Sequence, residues 1–182
     1  MSKLTIYTGC MCSGKSRALI NAYKRAPLDF DVYTFGKDNI VSRGAYAGRI
    51  EANKIERLGQ IQVTNKNLII DECQFYTLWQ IQDVDNLVHK YENVYLAGLD
   101  WIQPEGSTEF DKTNFYDYIC ADLHALDCFY SLNGLLAKND ITGEYDARIS
   151  KRYENATDIL SKDSYYNINF KQAFEDKIQL TK

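Results

Sequence analysis

The chain is short of the residues that build metal centres and disulfide frameworks. Two of its 182 residues are histidine, His89 and His124, and five are cysteine: Cys10, Cys12, Cys73, Cys120 and Cys128. An odd count without a repeated spacing argues against structural disulfides. Cys10 and Cys12 form a C-x-C pair, but no second pair of cysteines or histidines follows to complete a tetrahedral site. Long apolar runs are missing as well. Nothing approaches the ~18 residues of a membrane helix, so no membrane association is expected. Excess positive charge is also lacking. The net charge of −4 gives a nucleic-acid partner no electrostatic support. The first residues, MSKLTIYTGC, enter a strand-like run without the layout of a signal peptide. A reducing, cytoplasmic setting is the expectation.

What is present reads as an α/β protein. A hydrophobic fraction of 45% and a charged fraction of 25% are ordinary for a globular chain. Lys3–Thr8 is rich in β-branched and aromatic residues and predicts a strand. Ser16–Arg25 has helical spacing, with Leu19, Ile20 and Tyr23 on one face, and Pro27 stops it. Phe30–Phe35 predicts a second strand. Residues 36–60 are polar and glycine-containing and long for a connection, so part of the stretch is expected to be a mobile functional loop. Asn67–Asp71 and Asn93–Leu99 read as buried strands, with a helical stripe over Gln74–Tyr91 between them. Strands alternating with helices imply parallel pairing. After about residue 125, short β-like pieces, turn signals and tyrosines dominate. The expected division is a nucleotide-binding domain over 1–125 and a small lobe over 126–182.

Gly9-Cys10-Met11-Cys12-Ser13-Gly14-Lys15-Ser16 matches G-x-x-x-x-G-K-[ST]. Such a loop wraps a phosphate with backbone N–H groups, so glycine is needed where the chain bends tightly or approaches closely. The following helix points its N-terminus at the anion. Gly9, Ser13 and Gly14 shape the loop, Lys15 faces the β- and γ-phosphates, and the Ser16 hydroxyl faces Mg²⁺. The motif lies between a predicted strand and a predicted helix, as it requires. The alternative is a plain strand–turn–helix with incidental glycines.

LIIDECQF, Leu68 to Phe75, supplies the complement. An apolar strand ending in Asp71 places a carboxylate where open α/β sheets bind ligands. Asp71 suits Mg²⁺, held through water, and Glu72 suits taking a proton from an attacking hydroxyl. The competing explanation is a helix N-terminus carrying acids for the macrodipole.

The phosphate loop together with Asp71-Glu72-Cys73-Gln74-Phe75 resembles the type II thymidine kinases. That family usually has Gly where this chain has Cys73. Val94–Asp100 (VYLAGLD) resembles its next strand. Leu126-x-Cys128-x-Tyr130-x-x-Asn133-Gly134-x-x-Ala137 resembles L-x-A-x-C-x-x-C-G-x-x-A, and Ile159-x-x-x-Asp163-x-Tyr165 resembles I-G-G-x-D-x-Y. The resemblance runs from about residue 3 to residue 173.

It implies a P-loop, RecA-like parallel sheet with a small C-terminal lasso-type lobe. It implies ATP- and Mg²⁺-dependent phosphorylation of thymidine or deoxyuridine at the 5′-hydroxyl, in a homo-oligomer, by family habit a tetramer. Lys15 cradles phosphate, Ser16 and Asp71 serve Mg²⁺, and Glu72 is the base. Phe75 stacks on the pyrimidine, Leu99 lines the base pocket, and Tyr165 belongs to a lasso over the substrate near 152–159. Trp101 and Phe110 are further aromatic candidates. The four zinc cysteines of the family fall on Tyr130, Asn133, Asn169 and Gln172, so no structural zinc is expected. The family's Asp-x-Arg is also missing after Asp38, where Arg43 or Arg49 are the substitutes. The alternative function is a catalytically weakened nucleotide-binding protein on the same scaffold.

Overall fold

The computed structural model describes residues 1–26, 29–36, 38–42, 47–76, 79–104, 107, 109–120, 122–153 and 165–175, apart from the side chain of Cys120. Six strands form the central sheet: β1 (Lys3–Gly9), β2 (Phe30–Phe35), β5 (Asn53–Ile55), β6 (Asn67–Asp71), β7 (Asn93–Gly98) and β10 (Phe129–Leu135). Their spatial order is β10-β1-β7-β6-β2-β5, and every neighbouring pair is parallel. This is the α/β core with a parallel sheet that the alternation of strands and helices implies.

Period-2 geometry divides the apolar residues of each strand between the two faces. Leu68 and Ile70 face one core with Leu4, Ile6, Leu96 and helix α2 (Ile81–Lys90). Ile69 faces the other with Ala97, Val32 and the Leu19 and Ile20 side chains of helix α1 (Lys15–Tyr23). Both faces of β6 are covered, and all five of its residues are buried. That is why a near-continuous apolar run marks it.

The helix expected over Gln74–Tyr91 is shorter. A single 3₁₀ turn covers Cys73–Phe75, and α2 begins at Ile81, where Asp83 Oδ2 accepts a hydrogen bond from the Gln80 backbone at 2.9 Å. Trp79 explains the break. It is fully buried and donates its indole N–H to Cys73 O at 2.7 Å, which folds the segment inward before the helix starts.

The described residues within 36–60 are also more regular than a long loop. They contain the antiparallel pair β3 (Asn39–Ser42) and β4 (Gly48–Glu51), and then β5 at the sheet edge. Strand β10 pairs with β1 along its whole length, so residues 129–135 belong to the central sheet. Two small antiparallel pairs complete the described strands: β8 (Trp101–Ile102) with β9 (Asp111–Lys112), and β11 (Ile149–Arg152) with β12 (Tyr165–Ile168). Phe110, Ile149, Tyr166 and Ile168 form the core under the second pair.

Candidate active site

β1, β6 and β7 lie side by side and end together, so the loops that follow them share one end of the sheet. The loop after β1 carries the phosphate motif. Gly9 has φ +137°, and a Cβ there would lie 2.3 Å from Leu135 O on β10. No side chain fits that gap. Gly14 has φ +94° and ends the loop as the residue before α1. The described residues other than glycine include just two with positive φ, Cys12 at 61° and Glu72 at 59°. Both line the same cavity. Backbone held in this region costs of order 1–3 kcal/mol per residue and concentrates at functional sites.

Lys15 is buried at the first residue of α1. Its Nζ donates to Gly9 O at 3.0 Å and to Cys10 O at 2.6 Å, which folds the ammonium over the loop. The Ser16 hydroxyl donates to Asp71 Oδ2 at 2.8 Å, joining the helix start to the end of β6. Asp71 is buried. Burial first, and then the neighbouring Glu72, push its carboxyl up to about 6, against the pull of the Ser16 hydrogen bond. Gln74 donates to Glu72 Oε2 at 2.7 Å and accepts from Leu99 N at 3.0 Å, so one carboxamide ties the Glu72 carboxylate to the end of β7.

Two cavities adjoin here. The first, about 200 Å³, is lined by the phosphate loop, Arg17, Ser42, Asp71 and Glu72. The second, about 240 Å³, is mainly apolar and is lined by Phe75, Leu99, Trp101, Ser150, Arg152 and Tyr165. Met11, Gln74 and Leu99 line both. The Phe75 ring stands at the second cavity with 47% of its surface exposed.

A model of the thymidine kinase family matches residues 2–116, more than half of the chain and all of the phosphate loop and acidic strand end. The chain belongs to the thymidine kinase family. Members of this family are kinases that phosphorylate nucleosides with ATP, and the fold and the paired cavities agree with that chemistry. No curated protein sequence matches the chain.

The expected residues divide between the two cavities. Gly14, Lys15, Ser16, Asp71 and Glu72 meet at the first, with Gly9 and Ser13 in the loop beneath; Phe75 and Tyr165 meet at the second; Leu99 touches both. Trp101 lines the second cavity, whereas Phe110 is buried in the core under β11 and β12. Arg49 is exposed on β4 opposite Val41. Arg43, Ile159 and Asp163 lie outside the described residues. Sequence reasoning missed Met11, Arg17 and Gln74. Each had a signal: Met11 and Gln74 lie inside the two motifs, and Arg17 follows Ser16.

The family's zinc does not fit this chain. Tyr130 and Asn133 sit on β10, where Asn133 Nδ2 donates to Ile6 O at 3.2 Å. Asn169 and Gln172 have other partners. The Asn139 carboxamide donates to Gln172 Oε1 at 2.6 Å and to Asp146 Oδ1 at 3.0 Å, and Asn169 Nδ2 donates to Asp146 Oδ2 at 2.7 Å. Three carboxamides and one carboxylate that satisfy one another are not the thiolate or imidazole set that zinc takes. Among the described residues, no group of three or more His, Cys, Asp or Glu is arranged to hold a metal ion, and no helix is long and apolar enough to cross a membrane.

Proposed function

We propose that the chain transfers the γ-phosphoryl group of ATP to the 5′-hydroxyl of thymidine or deoxyuridine. The observation that carries this reading is the wall shared by the two cavities: Met11, Gln74 and Leu99 line both, and Glu72 stands on the phosphate side. A pyrimidine against Phe75, with Leu99 and Tyr165 around it, directs its 5′-hydroxyl toward that wall. The 5′-oxygen forms a bond to the γ-phosphorus. The bond from that phosphorus to the bridging oxygen breaks, and its electrons leave with ADP. The hydroxyl proton passes to the Glu72 carboxylate, which Gln74 holds in place. Lys15 turns from the loop carbonyls to the phosphates. The Ser16 and Asp71 oxygens, 2.8 Å apart, are a donor set suited to Mg²⁺. When bound, Mg²⁺ neutralises charge on the phosphate oxygens. Most of the catalysis is positioning and charge neutralisation.

Cys73 bears on the alternative, a protein that binds nucleotide without transferring phosphate. Its side chain is fully buried in the main core, and a Cβ at Gly98 would lie 3.2 Å from Cys73 Cβ. The extra thiol is packed away from the cavities, so it gives no reason for lost activity. The test compares wild type with Glu72→Gln over a panel of deoxynucleosides with ATP and Mg²⁺. The variant is expected to keep both substrate affinities and to lose roughly a hundredfold or more in rate. An unchanged rate removes Glu72 from the mechanism. Wild type that binds ATP but forms no monphosphate from any nucleoside favours the binding protein.

A further inference from the structure

The phosphate loop is gripped from outside by a pair of side chains that no motif identifies. Ser150 and Asn167 face each other across β11 and β12, and both are buried. Ser150 Oγ donates to Asn167 Oδ1 at 2.6 Å and accepts from Met11 N at 2.8 Å. Asn167 Nδ2 donates to Met11 O at 3.0 Å. Both backbone polar groups of Met11, in the middle of the phosphate loop, are therefore taken by one side-chain pair. The pair is itself anchored: Asn167 N donates to Asp140 Oδ2 at 2.7 Å, and Asp140 N donates to Asn167 O at 2.8 Å.

Peptide planarity turns this grip into an orientation of the loop. In a trans peptide, the C=O of one residue and the N–H of the next point in opposite directions. Met11 N–H is drawn to Ser150, so Cys10 C=O is turned the other way, where Lys15 Nζ donates to it at 2.6 Å. Met11 C=O is drawn to Asn167, so Cys12 N–H points away from β12. Cys12 holds its left-handed backbone, φ 61°, next to that fixed peptide. A phosphate loop works through the directions of its N–H groups.

We propose that Ser150 and Asn167 are positioning residues of the phosphate loop. They fix the two peptides flanking Met11 so that the loop is ready for a nucleotide, and they connect it to the nucleoside cavity. The connection is direct, because Met11 lines both cavities and Ser150 lines the second. The inference rests on the nucleotide-binding part of the function proposed above.

Asn167→Asp is the informative change. It keeps size and shape, and its first oxygen still accepts from Ser150. Its second oxygen meets Met11 O, so a donor–acceptor contact becomes one between two acceptors. When the carboxyl is protonated, an O–H faces that carbonyl and the grip is restored. The measurement is ADP affinity of wild type and variant by calorimetry between pH 8 and pH 5, read as the ratio of the two constants at each pH. The ratio is expected to be about tenfold at pH 8 and to return toward one as pH falls. A merely structural role weakens both ends equally.

A ratio near one throughout, or a loss that does not change with pH, overturns the proposal while leaving nucleotide binding intact. Wild type that binds no ADP overturns the nucleotide reading, and this inference with it. Ser150 gives a second route should Asn167→Asp fail to fold. Ser150→Ala removes the acceptor of Met11 N–H and is expected to weaken ADP severalfold without the pH recovery, and Ser150→Thr, which keeps the hydroxyl, is expected to restore it. Equal ADP affinity in Ser150→Ala overturns the proposal.

Discussion

Replacing Phe75 by alanine separates a substrate wall from a core residue. Truncating a fully buried phenylalanine costs about 3–5 kcal/mol. Phe75 has 47% of its surface exposed, so roughly half of that transfer term is absent and a loss of about 1–2 kcal/mol is expected. In a domain of this size each kcal/mol moves the melting temperature by about 2–4 °C. The variant is therefore expected to melt only about 2–8 °C lower. Its effect on the nucleoside is larger. Stacking of a base on an aromatic ring is worth about 1–3 kcal/mol, or about 5–150-fold in affinity. The assay is steady-state phosphorylation of thymidine at saturating ATP, beside a melting curve. The expected result is a nucleoside KM raised within that range, with KM for ATP unchanged. A melting temperature lowered by well over 10 °C with an unchanged nucleoside KM refutes the stacking role and makes Phe75 a core residue.

Three other predictions follow from particular contacts. Gly9→Ala places a Cβ 2.3 Å from Leu135 O at φ +137°, so the loop or β10 must shift; ADP affinity measured by calorimetry is expected to fall at least about tenfold, a cost of about 1.4 kcal/mol or more. For Asp31, burial alone would raise the carboxyl, but hydrogen bonds from Thr64 and Asn65 outweigh it and hold the group below its ordinary value. A depressed folded pKa gives stability that is present above the unfolded value of about 3.9 and is lost as pH falls through the folded one. The stability gap between wild type and Asp31→Asn in urea is thus expected at pH 7 and should shrink below about pH 4; a gap independent of pH contradicts this. Asn139→Ala removes one donor each from Gln172 Oε1 and Asp146, which keep Asn169 as a partner, and leaves the Ile141 and Thr142 amides without their acceptor. It is expected to cost about 2 kcal/mol or more, while chelator leaves the wild-type melting curve unmoved; a chelator-induced drop contradicts the metal-free lobe.

The central strands were legible because burial on both faces writes an apolar run that nothing interrupts, as at Leu68–Ile70. The phosphate loop was legible because its glycines answer a backbone demand that other residues cannot meet. The start of α2 was not. The apolar stripe continues back through Phe75, but the Trp79 indole bond to Cys73 O overrides the periodicity. Strand β10 was hidden for another reason. It sits at the sheet edge with Phe129, Tyr130 and Leu132 exposed, so it has no buried face to give alternation. The side chains that hold the loop from outside were beyond reach, because Ser150 and Asn167 stand 139 and 156 residues from Met11. A hydrogen bond across that distance leaves no local pattern. The cluster of Asn139, Asp146, Asn169 and Gln172 is similar: its residue types suggest solvent, and only the fold turns them toward one another.

The most direct test of the account is transfer of label from ATP carrying a radioactive γ-phosphate to thymidine. The purified protein, Mg²⁺ and both substrates are incubated, and the products are separated by chromatography. The account predicts labelled thymidine monophosphate, formed in step with ADP. Label that stays in ATP, or appears only as inorganic phosphate, while both substrates bind would contradict it.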